Sequence, residues 1–140
     1  MNVKGFLFAQ NTGTTGQVGL LVLRLFAGLV MAFAHGMGKF PISDQLIAGV
    51  ESVGFPMPVV FAYAAALTEL VGGVLLALGL LTRPVGLFLA FTMFVAGVFI
   101  HGADPFNVKE LAFFYMFVYI FFACYGGGRF SLDNKLGFGK

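Results

Sequence analysis

The chain has 140 residues, of which 59% are hydrophobic and only 10% are charged, and its mean hydropathy is +0.96. A soluble domain carries about 25% charged residues, so this composition excludes an ordinary water-soluble globule. The net charge of +2 without a basic stripe argues against nucleic acid as a partner, and the single cysteine, Cys124, leaves no internal disulfide or CxxC redox pair.

Four apolar segments are long enough to cross a membrane, which takes about 20 mostly apolar residues in a helix. In chain order these spans are predicted at about residues 17–40, 58–81, 84–101 and 109–125. The first span ends before Pro41, and the third begins at Pro84, since proline suits a first helical turn. The sequence therefore predicts an all-α membrane protein, a four-transmembrane-helix bundle forming a single membrane domain over residues 1–140.

The connection between the first two spans carries a pattern of its own. Apolar residues recur there at roughly helical spacing, namely Ile42, Leu46, Ile47, Val50 and Val53. Ser43 is placed to cap the start of such a helix. We expect a short interfacial helix between spans 1 and 2, folded over the bundle.

The basic residues outside the spans predict the orientation, because cytoplasmic loops of membrane proteins are enriched in lysine and arginine. Five basic residues fall on one side: Lys4, Arg83, Arg129, Lys135 and Lys140. Lys39 and Lys109 fall on the other side. This asymmetry predicts a multi-pass protein of the cell (inner) membrane, with both termini and the tail 126–140 on the cytoplasmic side.

Ionisable residues within or at the ends of the spans mark candidate sites, because such residues are costly in a bilayer and usually face the bundle interior. They are Arg24, His35, Lys39, Glu69 and His101. Arg24 and Glu69 each belong to a stripe of small residues with a four-residue repeat. These stripes are Arg24, Gly28, Ala32 and Gly36 on span 1, and Ala65, Glu69, Gly73 and Ala77 on span 2. Small residues let helices approach closely in lipid, so spans 1 and 2 are predicted to pack together.

Side-chain direction narrows the partners of these residues, because side chains lean toward the N-terminus of their helix. Glu69 and His35 lean toward each other, whereas Arg24 leans toward the cytoplasmic end. We therefore predict a ligand pocket with Glu69 and His35 as candidate catalytic groups and Lys39 at its mouth. His101 and Glu110 are further ligand-binding candidates.

Each of these residues also has a purely structural interpretation. Glu69 could be a hydrogen-bonding tie between helices, and His35 and His101 could be interface residues without chemistry. Lys39 could extend to the lipid headgroups, and Glu110 suits a helix N-terminus electrostatically. Both histidines lie near the outer ends of their spans with no cysteine beside them, so no metal or haem is expected.

A second group of polar residues is predicted to have a structural role at the cytoplasmic end. The group consists of Arg24, Arg83, Arg129, Ser131 and Asp133. We expect Asp133 to fold back and pair with Arg83 or Arg24, while Ser131 caps local backbone. The alternative is a free, solvated tail.

Five motifs, taken in this order and spacing, resemble the DoxX family of small membrane proteins. They are Arg24-Leu-Phe-Ala-Gly28, His35-Gly-Met-Gly-Lys39, Glu69-Leu-Val-Gly-Gly73, Gly79-Leu-Leu-Thr-Arg83 and Gly126-Gly-Gly-Arg-Phe-Ser-Leu-Asp133. The family pattern usually has a proline between the glycines of the last motif, where this chain has Gly127. The resemblance covers about residues 18–133 and implies a four-helix membrane bundle.

The resemblance also implies a function, because named members of the family are subunits of a thiosulfate:quinone oxidoreductase. The chain is expected to be a membrane subunit that binds quinone or quinol, with quinone as its candidate cofactor and a redox partner protein to exchange electrons. The alternative is a non-catalytic binder, carrier or assembly factor for a lipid-like molecule or a membrane partner. Membrane lipid and a second copy of the chain are the other expected partners.

Overall fold

The computed structural model describes residues 13–138, in which six helices follow one another. They are α1 (Thr14–Lys39), α2 (Asp44–Ser52), α3 (Pro58–Leu78), α4 (Thr82–Ile100), α5 (Phe106–Tyr125) and α6 (Leu132–Lys135). The helices α1, α3, α4 and α5 are long and apolar enough to cross a membrane. Each begins and ends within three residues of its predicted bounds, so the predicted four-helix membrane bundle is confirmed.

The bundle has two distinct ends. At one end α3 turns into α4, α5 stops, and the C-terminal segment 126–138 folds back against the start of α1. Backbone donors of that segment bond to both neighbouring helices: the Asp133 amide donates to the Gly79 carbonyl after α3 over 2.8 Å, and the Arg129 amide donates to Gln17 Oε1 of α1 over 2.8 Å. We call this the tail end, and we call the opposite end, where α2 lies, the α2 end.

The helix α2 is the one predicted between the first two spans. The Ser43 hydroxyl accepts a hydrogen bond from the Leu46 amide over 3.2 Å, so Ser43 caps the helix as predicted. Val50 is buried, and Gly49 packs against Ile100 at the end of α4. The helix and its cap are therefore confirmed, while its place at a membrane surface stays a prediction.

The small-residue stripes hold α1 against α3. A Cβ atom added to Gly28 would lie 2.5 Å from the Gly73 carbonyl oxygen, and one added to Gly73 would lie 2.6 Å from the Gly28 carbonyl oxygen. A Cβ on Gly36 would overlap the backbone of Leu70 in the same way. Only glycine fits at these three positions, which confirms the predicted packing of the first two spans.

The other pair of spanning helices packs through Gly86 of α4. A Cβ added there would lie 2.9 Å from the Ala123 amide nitrogen and from the Tyr119 carbonyl oxygen of α5. Tyr119 is fully buried, and its hydroxyl donates to the Ala27 carbonyl of α1 over 3.2 Å. This one tyrosine therefore joins the α4–α5 pair to the α1–α3 pair.

The outer surface of the bundle is strongly apolar. Phe26 is 62% exposed, Phe88 66% and Phe117 65%, and many other large apolar side chains are exposed around all four spanning helices. Apolar surface of this extent does not remain in water. The surface is that of a protein surrounded by lipid.

Three of the spanning helices change locally from α-helical to π-helical hydrogen bonding. The π segments are Met31–Gly36 in α1, Thr68–Gly72 in α3 and Ala96–Ile100 in α4. Short π segments within α-helices are frequent at functional sites. Two of the three contain His35 and Glu69, the predicted catalytic candidates.

The predicted topology can be tested by cysteine labelling in intact cells. In a Cys124→Ser background, Ser43→Cys should react with an impermeant maleimide added outside, because α2 and the tail lie at opposite ends of the bundle. Lys135→Cys should react only after the cells are opened. Labelling of both positions from one side would contradict the four-span topology. The reverse pattern would contradict the orientation, which rests in part on Lys4 and Lys140, outside the described residues.

Candidate functional site

Glu69 places a buried carboxylate near the middle of α3. The residue is only 2% exposed, and an ionised carboxylate at such a depth is unfavourable unless a cation or hydrogen-bond donors compensate it. The compensating group is Lys39, whose Nζ donates a hydrogen bond to Glu69 Oε2. The sequence placed Lys39 at the mouth of a site containing Glu69, and the structure brings the two side chains into direct contact.

The local backbone explains how this contact forms. Gly36 lies directly against the backbone of Glu69 and Leu70, so α1 and α3 touch at this level. The last turn of α1, Met37–Lys39, then tightens into a 3₁₀ helix that ends the span with Lys39. The Lys39 side chain is 29% exposed, which leaves it between the buried carboxylate and the surface.

The ion pair uses only part of the Glu69 carboxylate. Within residues 13–138, Oε2 accepts the bond from Lys39, whereas Oε1 accepts none. A carboxylate oxygen can accept further hydrogen bonds. Glu69 is therefore held in place through one oxygen and can receive a donor at the other.

Aromatic side chains continue the site beyond His35. The Tyr119 ring stacks on Tyr115, with centroids 5.7 Å apart, and Tyr115 meets the edge of the His35 ring at 5.8 Å. Glu69 and His35 lie in π segments that contact each other, and His35 continues through its ring contact into the two tyrosines of α5, whereas Lys39 contacts Glu69.

The two tyrosines are the site residues that the sequence analysis missed. Tyr115 and Tyr119 are four residues apart, so they share one face of α5. All the other aromatic residues of this helix before Tyr125 are phenylalanines. A pair of hydroxyl-bearing rings at helical spacing in a phenylalanine-rich span was the signal that pointed to an inward polar face.

His101 and Glu110 are not joined to this group. His101 Nδ1 lies 2.7 Å from Asp104 Oδ2 in the loop between α4 and α5, and the two side chains are 42% and 44% exposed. Glu110 is exposed on α5, and no partner for its side chain occurs in the described part of the chain. His101 therefore contacts a loop carboxylate three residues away and not the Lys39–Glu69 pair, and its part in ligand binding, like that of Glu110, stays a prediction.

The Arg24 side chain points toward the tail end, as predicted from the direction of its helix. Its guanidinium is 1% exposed and donates through Nη1 to the Gly127 carbonyl and through Nη2 to the Phe130 carbonyl, the latter over 3.0 Å. Both acceptors are uncharged backbone groups. Arg24 therefore fastens the C-terminal segment to α1.

Asp133 does fold back, but the expected ion pair with Arg83 or Arg24 is wrong. Its two carboxylate oxygens accept hydrogen bonds from the Leu81 amide over 2.7 Å and the Thr82 amide over 2.8 Å. These amides begin α4, and the first amides of a helix lack partners within it and favour a negative charge. Asp133 therefore caps α4 from a distant part of the chain.

The remaining residues of the tail group have separate roles. The Ser131 hydroxyl accepts from the Asn134 amide over 3.1 Å, so Ser131 caps α6 as predicted. Arg83 and Arg129 have exposed side chains, and Arg129 holds the segment through its backbone. A free, solvated tail is excluded for residues 126–138.

Comparison with known proteins identifies the family. The family model described as DoxX matches residues 19–102, which is more than half of the chain. The chain belongs to the DoxX family. Within the match lie Arg24, His35, Lys39 and Glu69, whereas Tyr115 and Tyr119 lie beyond it.

Three relatives share most of their length with this DoxX protein. "Putative oxidoreductase CatD" of Bacillus subtilis is 34% identical, over 89% of this chain and 91% of its own length. An uncharacterized protein of Haemophilus influenzae is 37% identical, over 79% of this chain and 87% of its own. The uncharacterized membrane protein Rv3486 of Mycobacterium tuberculosis is 32% identical, over 86% and 83%. No solved structure matches this DoxX chain.

Proposed function

We propose that Lys39, Glu69, His35, Tyr115 and Tyr119 bind the head group of a quinone or quinol, and that the protein serves as a membrane subunit of a quinone-linked redox complex. The observation that carries this proposal is the buried carboxylate of Glu69, compensated by Lys39 at one oxygen and open at the other. A structural tie between helices would not require an ionisable pair, since neutral polar side chains suffice for that role.

The chemistry of the site fits both forms of such a ligand. A quinone presents two carbonyl acceptors, and the Lys39 ammonium is a donor with more than one hydrogen to give. A quinol presents hydroxyl donors, and Glu69 Oε1 can accept from one of them. The hydroxyl of Tyr115, which makes no hydrogen bond within residues 13–138, can serve the second oxygen.

Proton transfer follows from the same geometry. Oxidation of a quinol releases two protons and two electrons. Glu69 accepts the two protons one after the other at Oε1, and Lys39, at 29% exposure, lies between Glu69 and the surface to which each proton passes. The two electrons pass to a partner protein, because this sequence has no flavin, nucleotide or dithiol motif. The printed name of one relative, "Putative oxidoreductase CatD", supports the redox assignment.

One observation favours a second candidate function, the binding of a lipid-like molecule without reaction. An apolar groove of about 340 Å³ opens on the outer surface between α3 and α4. Its walls are formed by Leu67, Thr68, Val71, Gly72, Leu75, Val85 and Phe88. A groove of this kind fits an acyl or isoprenoid chain.

Extraction of the bound ligand, together with the substitution Glu69→Gln, tests the proposal. Purified wild-type protein and the variant should both release quinone to organic solvent, because glutamine keeps the shape and hydrogen-bonding capacity of the side chain. Quinol-dependent reduction of an acceptor in membranes should fall about 100-fold in Glu69→Gln, the loss typical of a missing general base.

Glu110→Gln is the matched control, since it makes the same chemical change on an exposed carboxylate of α5. It should leave both quinone content and turnover unchanged. Recovery of phospholipid without quinone, or equal turnover in Glu69→Gln and Glu110→Gln, would contradict the quinone assignment and favour the non-catalytic candidate.

A further inference from the structure

A cavity lies at the tail end of the bundle, away from Glu69 in the middle of α3. Its volume is about 570 Å³, within the range of small-molecule sites. It lies where α4 begins and α5 ends, and the C-terminal segment forms the remaining wall. Its lining residues include Thr82, Arg83, Tyr125, Gly127, Gly128 and Asp133.

The charges around this cavity are unequally compensated. Among the described residues, Asp133 is the one acidic residue that lines it, and both carboxylate oxygens already accept backbone hydrogen bonds from the start of α4. Arg83 lines the cavity with an exposed guanidinium that has no acceptor in the described part of the chain. Arg24 adds a second cation beside the wall, because within residues 13–138 its guanidinium donates to two uncharged carbonyls and to no carboxylate. The cavity therefore favours an anion.

Hydrogen-bond donors without partners occur at the same place. Thr82 is fully buried, and its hydroxyl has no hydrogen-bond partner within residues 13–138. The amides of Gly127 and Gly128 likewise donate to no acceptor in this part of the protein. Buried polar groups in native proteins are nearly always paired, so each exception requires an explanation. A ligand with several acceptor oxygens would supply the missing partners.

We propose that this cavity binds a phosphate group, with Arg83 as its charge partner and the Thr82 hydroxyl and the Gly127 and Gly128 amides as donors. Phosphate combines negative charge with several acceptor oxygens, as this set of groups requires. Its source is either an anionic phospholipid or a soluble phosphate compound.

The position of the cavity favours the lipid source. It lies where the spanning helix α4 begins and the spanning helix α5 ends, and the end of a spanning helix is the level at which a bilayer presents its headgroups. Tyr125 forms part of its wall, and tyrosine is enriched at that level. Basic pockets between spanning helices on the cytoplasmic side are known to hold phosphate-bearing headgroups. The inference is independent of the quinone proposal, since the two sites lie at different depths.

Binding of matched ligands to the purified protein tests this proposal. Short-chain phosphatidylglycerol, measured by native mass spectrometry, should bind at least about tenfold more tightly than the diacylglycerol with the same chains, because only the former offers charged hydrogen bonds. Arg83→Gln should lower the affinity for phosphatidylglycerol about tenfold. Arg129→Gln, an equal charge change on an exposed side chain that does not line the cavity, should leave it unchanged.

Inorganic phosphate and glycerol phosphate distinguish the two sources. If they bind as tightly as phosphatidylglycerol and depend equally on Arg83, the phosphate site stands and its ligand is soluble. Equal affinity for phosphatidylglycerol and diacylglycerol would overturn the proposal. Equal losses in Arg83→Gln and Arg129→Gln would do so too, because they would reveal only a diffuse effect of surface charge.

Thr82→Val separates a ligand role from a structural one. Valine keeps the branched shape of threonine, and its backbone amide can still donate to the Asp133 carboxylate, but it lacks the unpaired hydroxyl. Without ligand the variant should melt at the same temperature or higher, because removing an unsatisfied buried group is not destabilising. Its affinity for phosphatidylglycerol should fall several-fold, and an undiminished affinity would contradict the assignment of Thr82.

Discussion

Gly73→Val is expected to prevent α1 and α3 from packing and to abolish the folded bundle. The Cβ atom alone would lie 2.6 Å from the Gly28 carbonyl oxygen and 2.7 Å from the Ala32 amide nitrogen. Both are backbone atoms of a helix that cannot move individually, so the helices would have to separate. Overpacking in a core costs up to about 3 kcal/mol when neighbours can adjust, and here the neighbours cannot, so we expect at least that loss in the free energy of unfolding.

The measurement compares Gly73→Val with a glycine on the same pair of helices that has open space around it. Gly19 of α1 has no atom within 4 Å of an added Cβ, so Gly19→Val should remain folded. Fluorescence-detected size exclusion and the melting temperature in detergent report the result. A monodisperse Gly73→Val protein with wild-type stability would contradict the close α1–α3 contact.

The features that the sequence predicted correctly depend on local periodicity. Small residues recur every fourth position on the first two spans, and Gly28, Gly36 and Gly73 belong to these stripes. The stripes identified the face of each helix that packs closely against the other. Ser43 indicated the start of α2, because the capping hydrogen bond joins the serine hydroxyl to an amide only three residues further on. Span bounds are equally local, since they follow from hydropathy and from prolines and glycines at the helix ends.

The features that the sequence did not predict depend on the rotation of one helix against another. The predicted pocket grouped His35 and Lys39 around Glu69. In the structure the π segment Met31–Gly36 and the 3₁₀ turn that follows change the number of residues per turn, and the two side chains contact α5 and α3 respectively. Neither irregularity has a recognisable sequence signal.

The partner of Asp133 was missed for a different reason. Opposite charges suggested an ion pair with arginine, whereas the unpaired amides at the start of α4 satisfy the carboxylate more completely. A comparison of oppositely charged side chains does not take backbone donors into account. The same bias toward charged residues left Tyr115 and Tyr119 outside the predicted site.

Lys39→Met is expected to have the largest effect on the Glu69 site. Methionine keeps much of the length and apolar character of the lysine stem but removes the ammonium that compensates Glu69. Removing one partner of a buried ion pair typically costs about 3–5 kcal/mol. Because Lys39 is 29% exposed, we expect about 2–3 kcal/mol, at the lower end of the range for charge pairs. Lys109→Met is the matched control, since the ammonium of Lys109 donates only to the Gly102 carbonyl at an exposed position.

The double variant Lys39→Met with Glu69→Gln separates stability from ligand binding. Once the carboxylate is neutral, the lost ammonium leaves no buried charge uncompensated, so most of the stability should return. Quinone content should not return, because the proposed site has still lost the ammonium that donates to the quinone carbonyl. If the double variant recovers both stability and quinone, Lys39 is only the counter-ion of Glu69 and does not bind the ligand. If Lys39→Met alone is as stable as Lys109→Met, the ion pair does not contribute to the stability of the fold.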